Sequence, residues 1–226
     1  GVLGEQQAAS AQAIREAALS MDAFVARIVE ASRGREDALR PEPVDPAALA
    51  GRLEDAVRRL ASARGLALEA SLAAPLPGAR AATSEDGSGA LPLWDADALE
   101  RAVLNLAGNA CDHARSRVTL SFSRDAASGA YSIAVGDDGP GFSPEALKHG
   151  AERFYRGDAS RANAAVEAAG AHFGLGLSIA SDIAIAHGGR LELSNLEDAG
   201  GNVLGGRAAI SLPAEQHPSQ PSPAHG

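Results

Sequence analysis

One cysteine in 226 residues, Cys111, leaves no partner for an internal disulfide and no cysteine cluster for zinc. No apolar run approaches the roughly 20 residues that a helix needs to cross a bilayer. No basic-then-apolar stretch opens the chain as a secretory leader does. Positive charge is not in excess either, since 20 Lys and Arg against 29 Asp and Glu give a net charge of −9. A protein that holds nucleic acid regardless of sequence needs a basic surface to displace counterions, so that class is set aside. Small phosphorylated ligands stay possible, because local groups rather than net charge hold them. These absences describe a soluble, cytoplasmic piece, with a membrane-anchored parent left open. What is present is ordinary for a globular protein, with 45% hydrophobic and 22% charged residues. The length suits one medium domain with an appendage, or two small domains.

The segment Glu5–Ser32 has neither glycine nor proline and reads as a helix. Ile14, Ala18, Met21, Val25 and Ile28 alternate four and three apart, a heptad seam that needs a partner. Packing on its own domain satisfies that need; so does a dimerising hairpin, which the adjoining linker favours. Gly34, Pro41, Pro43 and Pro46 make that linker and set a boundary. Residues 1–40 form the first unit, 41–213 the globular domain and 214–226 a disordered tail rich in proline, serine and glutamine.

Asp45 and Pro46 open a helix with Leu49, Leu53, Val57 and Leu60 on its buried face, ended by Gly65. Leu66, Leu68, Ala70 and Leu72 alternate as in a strand, and Pro75–Gly89 is a loop. A short strand at Ala90–Trp94 leads to an Asp95-capped helix reaching about Ala114. Strands follow at Val118–Phe122 and Tyr131–Val135 around the hairpin residues Ala126–Gly129. Gly139–Phe173 is a long irregular insert of the kind that does work. A helix at Leu175–His187 and strands near Arg190–Ser194 and Arg207–Leu212 complete the domain. The expected fold is an α/β two-layer sandwich, a mixed sheet with helices on one face, preceded by a long helix.

Four short segments carry chemistry. Asn105 and Asn109 share one face of the Asp95-capped helix, away from the core face of Leu99, Val103, Leu106 and Ala110. Mid-helix asparagines are unfavourable, and their carbonyl oxygens suit a hard cation, although two solvated amides would look the same. Asp137-Asp138-Gly139-Pro140-Gly141 ends a strand; Asp137 is placed to accept from an exocyclic amine, and Gly139 and Gly141 allow tight backbone geometry. The same composition is common in turns. Gly174-Leu175-Gly176-Leu177 opens a helix whose N–H groups suit a triphosphate. Arg153-Phe154-Tyr155-Arg156 offers an apolar anchor and cations.

In this order and spacing the segments resemble the N, G1, F and G2 boxes of the sensor histidine kinases of bacterial two-component systems. The wider superfamily, with its Bergerat ATP-binding fold, includes type II topoisomerases, dimeric ATP-driven chaperones and MutL-type repair proteins. The resemblance covers Asp45 to Pro213, and Pro43-Val44-Asp45 matches the usual linker after the second helix of the dimerisation hairpin. It implies that Asn109 coordinates Mg²⁺, with Asn105 in support, and that His113 lies against adenine. It makes Asp137 the acceptor of the adenine amine and Gly139 and Gly141 the walls of its pocket. Arg156 would reach the phosphates from a lid ordered mainly by γ-phosphate and Mg²⁺, with Phe154 docking it. Gly174, Leu175, Gly176 and Leu177 would line the phosphate end, and Asn105 and Arg156 are the candidate catalytic residues. The implied cofactors are ATP and Mg²⁺. The implied partners are the kinase's own phosphoacceptor helix, a response regulator and a second copy through the N-terminal helix.

Two departures stand out. His172-Phe173 replaces the usual Gly-Thr before Gly174, as in some Gram-positive peptide-sensing kinases, and Asp112 stands where a basic residue often follows Asn109 by three. Hydrolases of the superfamily carry a glutamate base four residues before the metal-binding asparagine; here that position is Asn105, which takes no proton. An imidazole acceptor already has a lone pair and needs less base help, so the sequence sides with a kinase. A domain that only binds nucleotide is the other alternative. The six histidines are His113, His149, His172, His187, His217 and His225, none in the N-terminal helix. The expectation is a fragment that binds Mg-ATP without phosphorylating itself.

Overall fold

The computed structural model describes residues 39–72, 91–153, 155 and 175–214. The N-terminal helix, the Pro75–Gly89 loop and the C-terminal tail expected from the sequence lie outside the described residues.

The chain enters through β1 (Glu42–Pro43), which pairs antiparallel with β3 (Leu93–Trp94), Glu42 opposite Trp94. The linker is therefore docked at its end, and the Val44 N–H donates to the Pro92 carbonyl at 2.9 Å. Helix α1 (Pro46–Ala63) starts where Asp45 Oδ1 accepts from the N–H groups of Ala47 and Ala48 at 2.8 and 3.4 Å. It stops at Gly65, whose φ of +70° is open to glycine at little cost. Helix α2 (Ala96–His113) is capped by Asp95, whose Oδ1 accepts from Ala98 N–H at 2.9 Å.

Strands β2 (Ala67–Leu72), β4 (Arg117–Arg124), β5 (Tyr131–Asp137), β6 (Arg190–Glu197) and β7 (Val203–Leu212) form one sheet in the order β2-β4-β5-β7-β6. Only β2–β4 is parallel; β4–β5, β5–β7 and β6–β7 are antiparallel. Helices α1, α2 and α4 (Gly176–Ala186) pack on the sheet, while the short α3 (Pro144–His149) buries no residue. The expected mixed-sheet α/β sandwich is what forms.

The core follows the periodicities. Leu99, Val103 and Leu106 on α2 meet Val118, Leu120 and Phe122 on β4 and Ile133 and Val135 on β5, all at most 2% exposed. Each such side chain contributes about 1.5–3 kcal/mol on burial. Trp94 ties β3 to the sheet, with its ring edge-on to Tyr131 at 4.9 Å.

Some details of the strands differ from expectation. Of the Ala90–Trp94 strand only Leu93–Trp94 pairs among the described residues, and Ala70 on β2 is exposed, so the alternation of that strand fades. Strands β6 and β7 extend towards each other beyond the apolar runs, because their hairpin continues through Gly205-Gly206, which hydrophobicity does not mark.

Candidate nucleotide site

Strand β5 delivers Asp137 to the sheet's end, opposite Val118. The carboxylate is 7% exposed, and Oδ1 accepts from the N–H groups of Gly139 at 2.8 Å and Gly206 at 3.3 Å. Among the described residues no donor is placed on Oδ2. The tight turn after Asp137 is built against the protein's own backbone. A Cβ at Gly139 would lie 2.3 Å from the His113 carbonyl oxygen, and one at Gly205 would lie 1.8 Å from the Asp137 carbonyl oxygen. Gly141 has φ +77° and closes onto Val203 and Asn195. Asn195 then grips the loop like a strand partner: its Oδ1 accepts from Phe142 N–H at 2.7 Å and its Nδ2 donates to the Phe142 carbonyl at 3.0 Å.

Asp138, one residue on, is the strongest knot nearby. Its Oδ1 accepts from the N–H groups of Arg115, Ser116 and Arg117 at 2.8, 3.1 and 3.2 Å, and its Oδ2 from the Ser116 hydroxyl at 2.6 Å. Desolvation acts to raise its pKa, but the bonds from Ser116, Arg117 and Arg115 outweigh it and hold the carboxyl well below the usual range. The antiparallel β4–β5 register makes this meeting inevitable, since pairing Val118 with Asp137 puts Asp138 beside Arg117. The sequence marks Asp138 only as part of a glycine-rich turn; its partners follow from tertiary pairing.

Helix α2 is the wall against which the other motifs assemble. Its last turn meets the Asp137 loop at His113, whose side chain is exposed. Its middle meets α4: a Cβ at Gly176 would lie 3.5 Å from both the backbone oxygen and Oδ1 of Asn105. The Asn105 Nδ2 donates to the Arg101 carbonyl at 2.9 Å, which fixes the amide's orientation. Asn109, half-buried, stands one turn further along. Asn105, Asn109, His113, Asp137, Gly139 and Gly176 are thus gathered around one helix.

Leu175 and Leu177 play a packing part, Leu175 being 1% exposed and Leu177 set against the core. Leu175 stands at the N-cap of α4 and supplies no side-chain bond to its first turn. Phe154, Arg156, Gly174 and the His172-Phe173 pair lie outside the described residues. Arg153 is engaged elsewhere, its Nη2 donating to Asp182 of α4 at 2.5 Å. Asp112 pairs with Arg64, the C-cap of α1, at 3.2 Å. An open cleft of about 390 Å³ borders Asn105 and is lined by Asp97, Glu100, Arg101 and Leu104, both of its carboxylates paired with Arg52.

These groups fit a nucleotide. A buried carboxylate with one oxygen committed selects a donor-bearing ring, and a helix that opens on Gly176 beside Asn105 suits phosphates. They also fit Mg²⁺, which takes one or two side-chain oxygens and completes its shell with phosphates and water. Among the described residues no three His, Cys, Asp or Glu side chains converge on a metal.

Residues 94–216 match the family described as the histidine kinase-, DNA gyrase B- and HSP90-like ATPases. The chain belongs to this family. Its relatives are sensor kinases. The signal transduction histidine-protein kinase/phosphatase MprB of Mycolicibacterium smegmatis is 31% identical over 199 residues, covering 88% of this chain and 35% of that protein. A solved mycobacterial sensor histidine kinase MprB aligns over 79% of this chain and all of that one, with 25% identity and a TM-score of 0.55. Full-length ShkA, solved in complex with AMPPNP, covers 90% of this chain and 38% of that one with a TM-score of 0.62; at 23% identity it supports the fold alone. The chain spans about a third of the MprB kinase it matches in sequence. Its ATPase-family domain is of the kind that the sensor histidine kinases carry. None of the described helices is long and apolar enough to cross a membrane.

Proposed function

We propose that the domain binds Mg-ATP and transfers the γ-phosphoryl group to a histidine on a dimerisation helix, for relay to a response-regulator aspartate. The observation that carries this reading is the convergence on α2 of the amide pair, the Asp137 loop and the start of α4. Asp137 Oδ2 accepts the adenine amine, while Gly139 and Gly206 N–H groups hold Oδ1 and set the carboxylate's plane. His113 covers the ring from the end of α2. The first N–H groups of α4, with Gly174 and Gly176 allowing close approach, hold phosphate oxygens. Asn109 and, in support, Asn105 present carbonyl oxygens for Mg²⁺, which when bound neutralises charge on the transferring phosphoryl group. Arg156, docked by Phe154, brings a cation to the same end and, with Asn105, serves the transfer step.

Asn105 also argues for a kinase over a hydrolase, since an amide in the place of a glutamate base cannot activate water. The acceptor is not among the chain's six histidines on this reading, none of which lies in the N-terminal segment. Partners would be that acceptor helix, a response regulator and a second copy. Calorimetry with ATP, ADP and GTP tests the site. ATP and ADP should bind, more tightly with Mg²⁺, and GTP should not. Asp137→Asn should lose most of the affinity with its fold retained; comparable GTP affinity would overturn the adenine assignment.

A further inference from the structure

The last turn of α2 carries negative character within one turn of Asn109, the proposed Mg²⁺ ligand. Asp112 lies three residues beyond Asn109, hence next to it on the helix surface. The carbonyl end of the helix dipole and the Gly108 carbonyl add to it. A triphosphate approaching Asn109 would meet this field as repulsion. Among the described residues a cation reaches in from another element. Arg64, the last residue before Gly65 turns the chain, lays its guanidinium along α2. Its Nη1 donates to the Gly108 carbonyl at 3.1 Å and pairs with Asp112 Oδ1 at 3.2 Å. The group also borders Cys111, whose thiol burial pushes up while Arg64 draws it down. The Arg64 side chain is 36% exposed and that of Asp112 19%, so the pair is partly shielded from water at the rim.

We propose that Arg64 is a positioning residue for nucleotide affinity: by holding and neutralising Asp112 beside Asn109, it makes the phosphate end of the site tolerable to a polyanion. The inference rests on the nucleotide reading of the site. It assigns to α1 a part in binding that no residue of the four motifs carries. A packing clip between α1 and α2 would use the same contacts, but would not depend on the ligand's charge.

The experiment is a double-mutant cycle of Arg64→Ala and Asp112→Asn, read by calorimetry with Mg-ADP and with adenosine. Arg64→Ala should weaken Mg-ADP about three- to five-fold, the range of a partly exposed ion pair, and leave adenosine unchanged. Asp112→Asn should match or exceed wild type for Mg-ADP, and the double variant should recover most of the loss. Melting temperatures of all four proteins show whether folding follows a different pattern. The proposal is overturned if Arg64→Ala weakens both ligands equally, has no effect on Mg-ADP, or weakens it equally in the Asp112→Asn background. Wild-type protein that binds neither ligand would instead overturn the nucleotide reading, and this inference with it.

Discussion

The end of β5 and the outer face of α2 meet around one site and are built on opposite principles. At the strand end almost every polar group is spent inside the protein. Asp137 Oδ1, both oxygens of Asp138 and both polar atoms of the Asn195 amide have partners at 2.6–3.3 Å. The glycines there are required by the chain's own backbone. On α2 the functional groups are half-buried or exposed amides and charges on a helix already stable through its apolar face. One region therefore couples ligand binding to folding, and the other can be altered with little structural consequence. On the proposed function, that division suits a domain that keeps one end of a nucleotide rigidly placed while the other end reacts.

The sharpest test of this contrast is Asp138→Ala. Three N–H groups and a hydroxyl lose their acceptor together, and the loop between α2 and β4 loses its tie to β5. Because those donors are largely exposed, water replaces part of the loss. We expect the melting temperature to fall by about 5 °C, with ADP affinity down at least about tenfold as Asp137 loses its fixed plane. A variant that binds as wild type does would show that the strand end is not the rigid region described.

Asn109→Ala tests the other side. The side chain is half-buried on a helix whose core face lies elsewhere, so stability should change by no more than about 0.5 kcal/mol. The expected loss is specific: binding of ATP should cease to improve on adding Mg²⁺, while adenosine binding persists. Titrations with and without Mg²⁺ read this directly. A large fall in melting temperature with the Mg²⁺ response intact would break the contrast from the α2 side.

Reading the sequence recovered what depends on local rules. Asp45 and Asp95 as caps, Gly65 as a stop and the core faces of α1, α2, β4 and β5 all follow from residues within a turn of one another. The candidate residues of the site carried local marks as well: paired amides at i and i+4, and glycines at a strand end and a helix start. What escaped depends on which distant segments meet. Asp138 and Ser116 are 22 residues apart, and Asn195 and Phe142 are 53 apart. Asp112 stands out in the sequence as a departure, but its partner Arg64, at the C-cap of α1, carries no motif. Gly205-Gly206 hid the start of β7 because their small size serves the approach of Asp137 and Phe142, which no periodicity reports.

The smallest expected effect concerns the structural side alone and uses pH. His187, at the end of α4, is 2% exposed and holds two bonds. Its Nδ1–H donates to the Ile183 carbonyl at 2.8 Å, and its Nε2 accepts from the Asp95 N–H at 3.1 Å, which fixes the neutral tautomer. Burial is the main influence and lowers its pKa, while the Ile183 carbonyl and the Asp95 carboxylate draw it partly back. The folded value therefore lies below the unfolded one of about 6.5. The unfolded chain binds the proton first, so the contribution of neutral His187 is complete above that value. It is lost as pH falls from there through the lowered folded value. Protonation places a second N–H against that of Asp95 and breaks the link between α4 and the start of α2. Melting curves between pH 8 and pH 5 should fall by a few degrees for wild type. His187→Gln should start lower at pH 8 and fall less steeply, because its side chain does not titrate. Equal slopes in the two proteins, or an NMR titration of His187 near its ordinary value, would remove this histidine from the account of acid sensitivity.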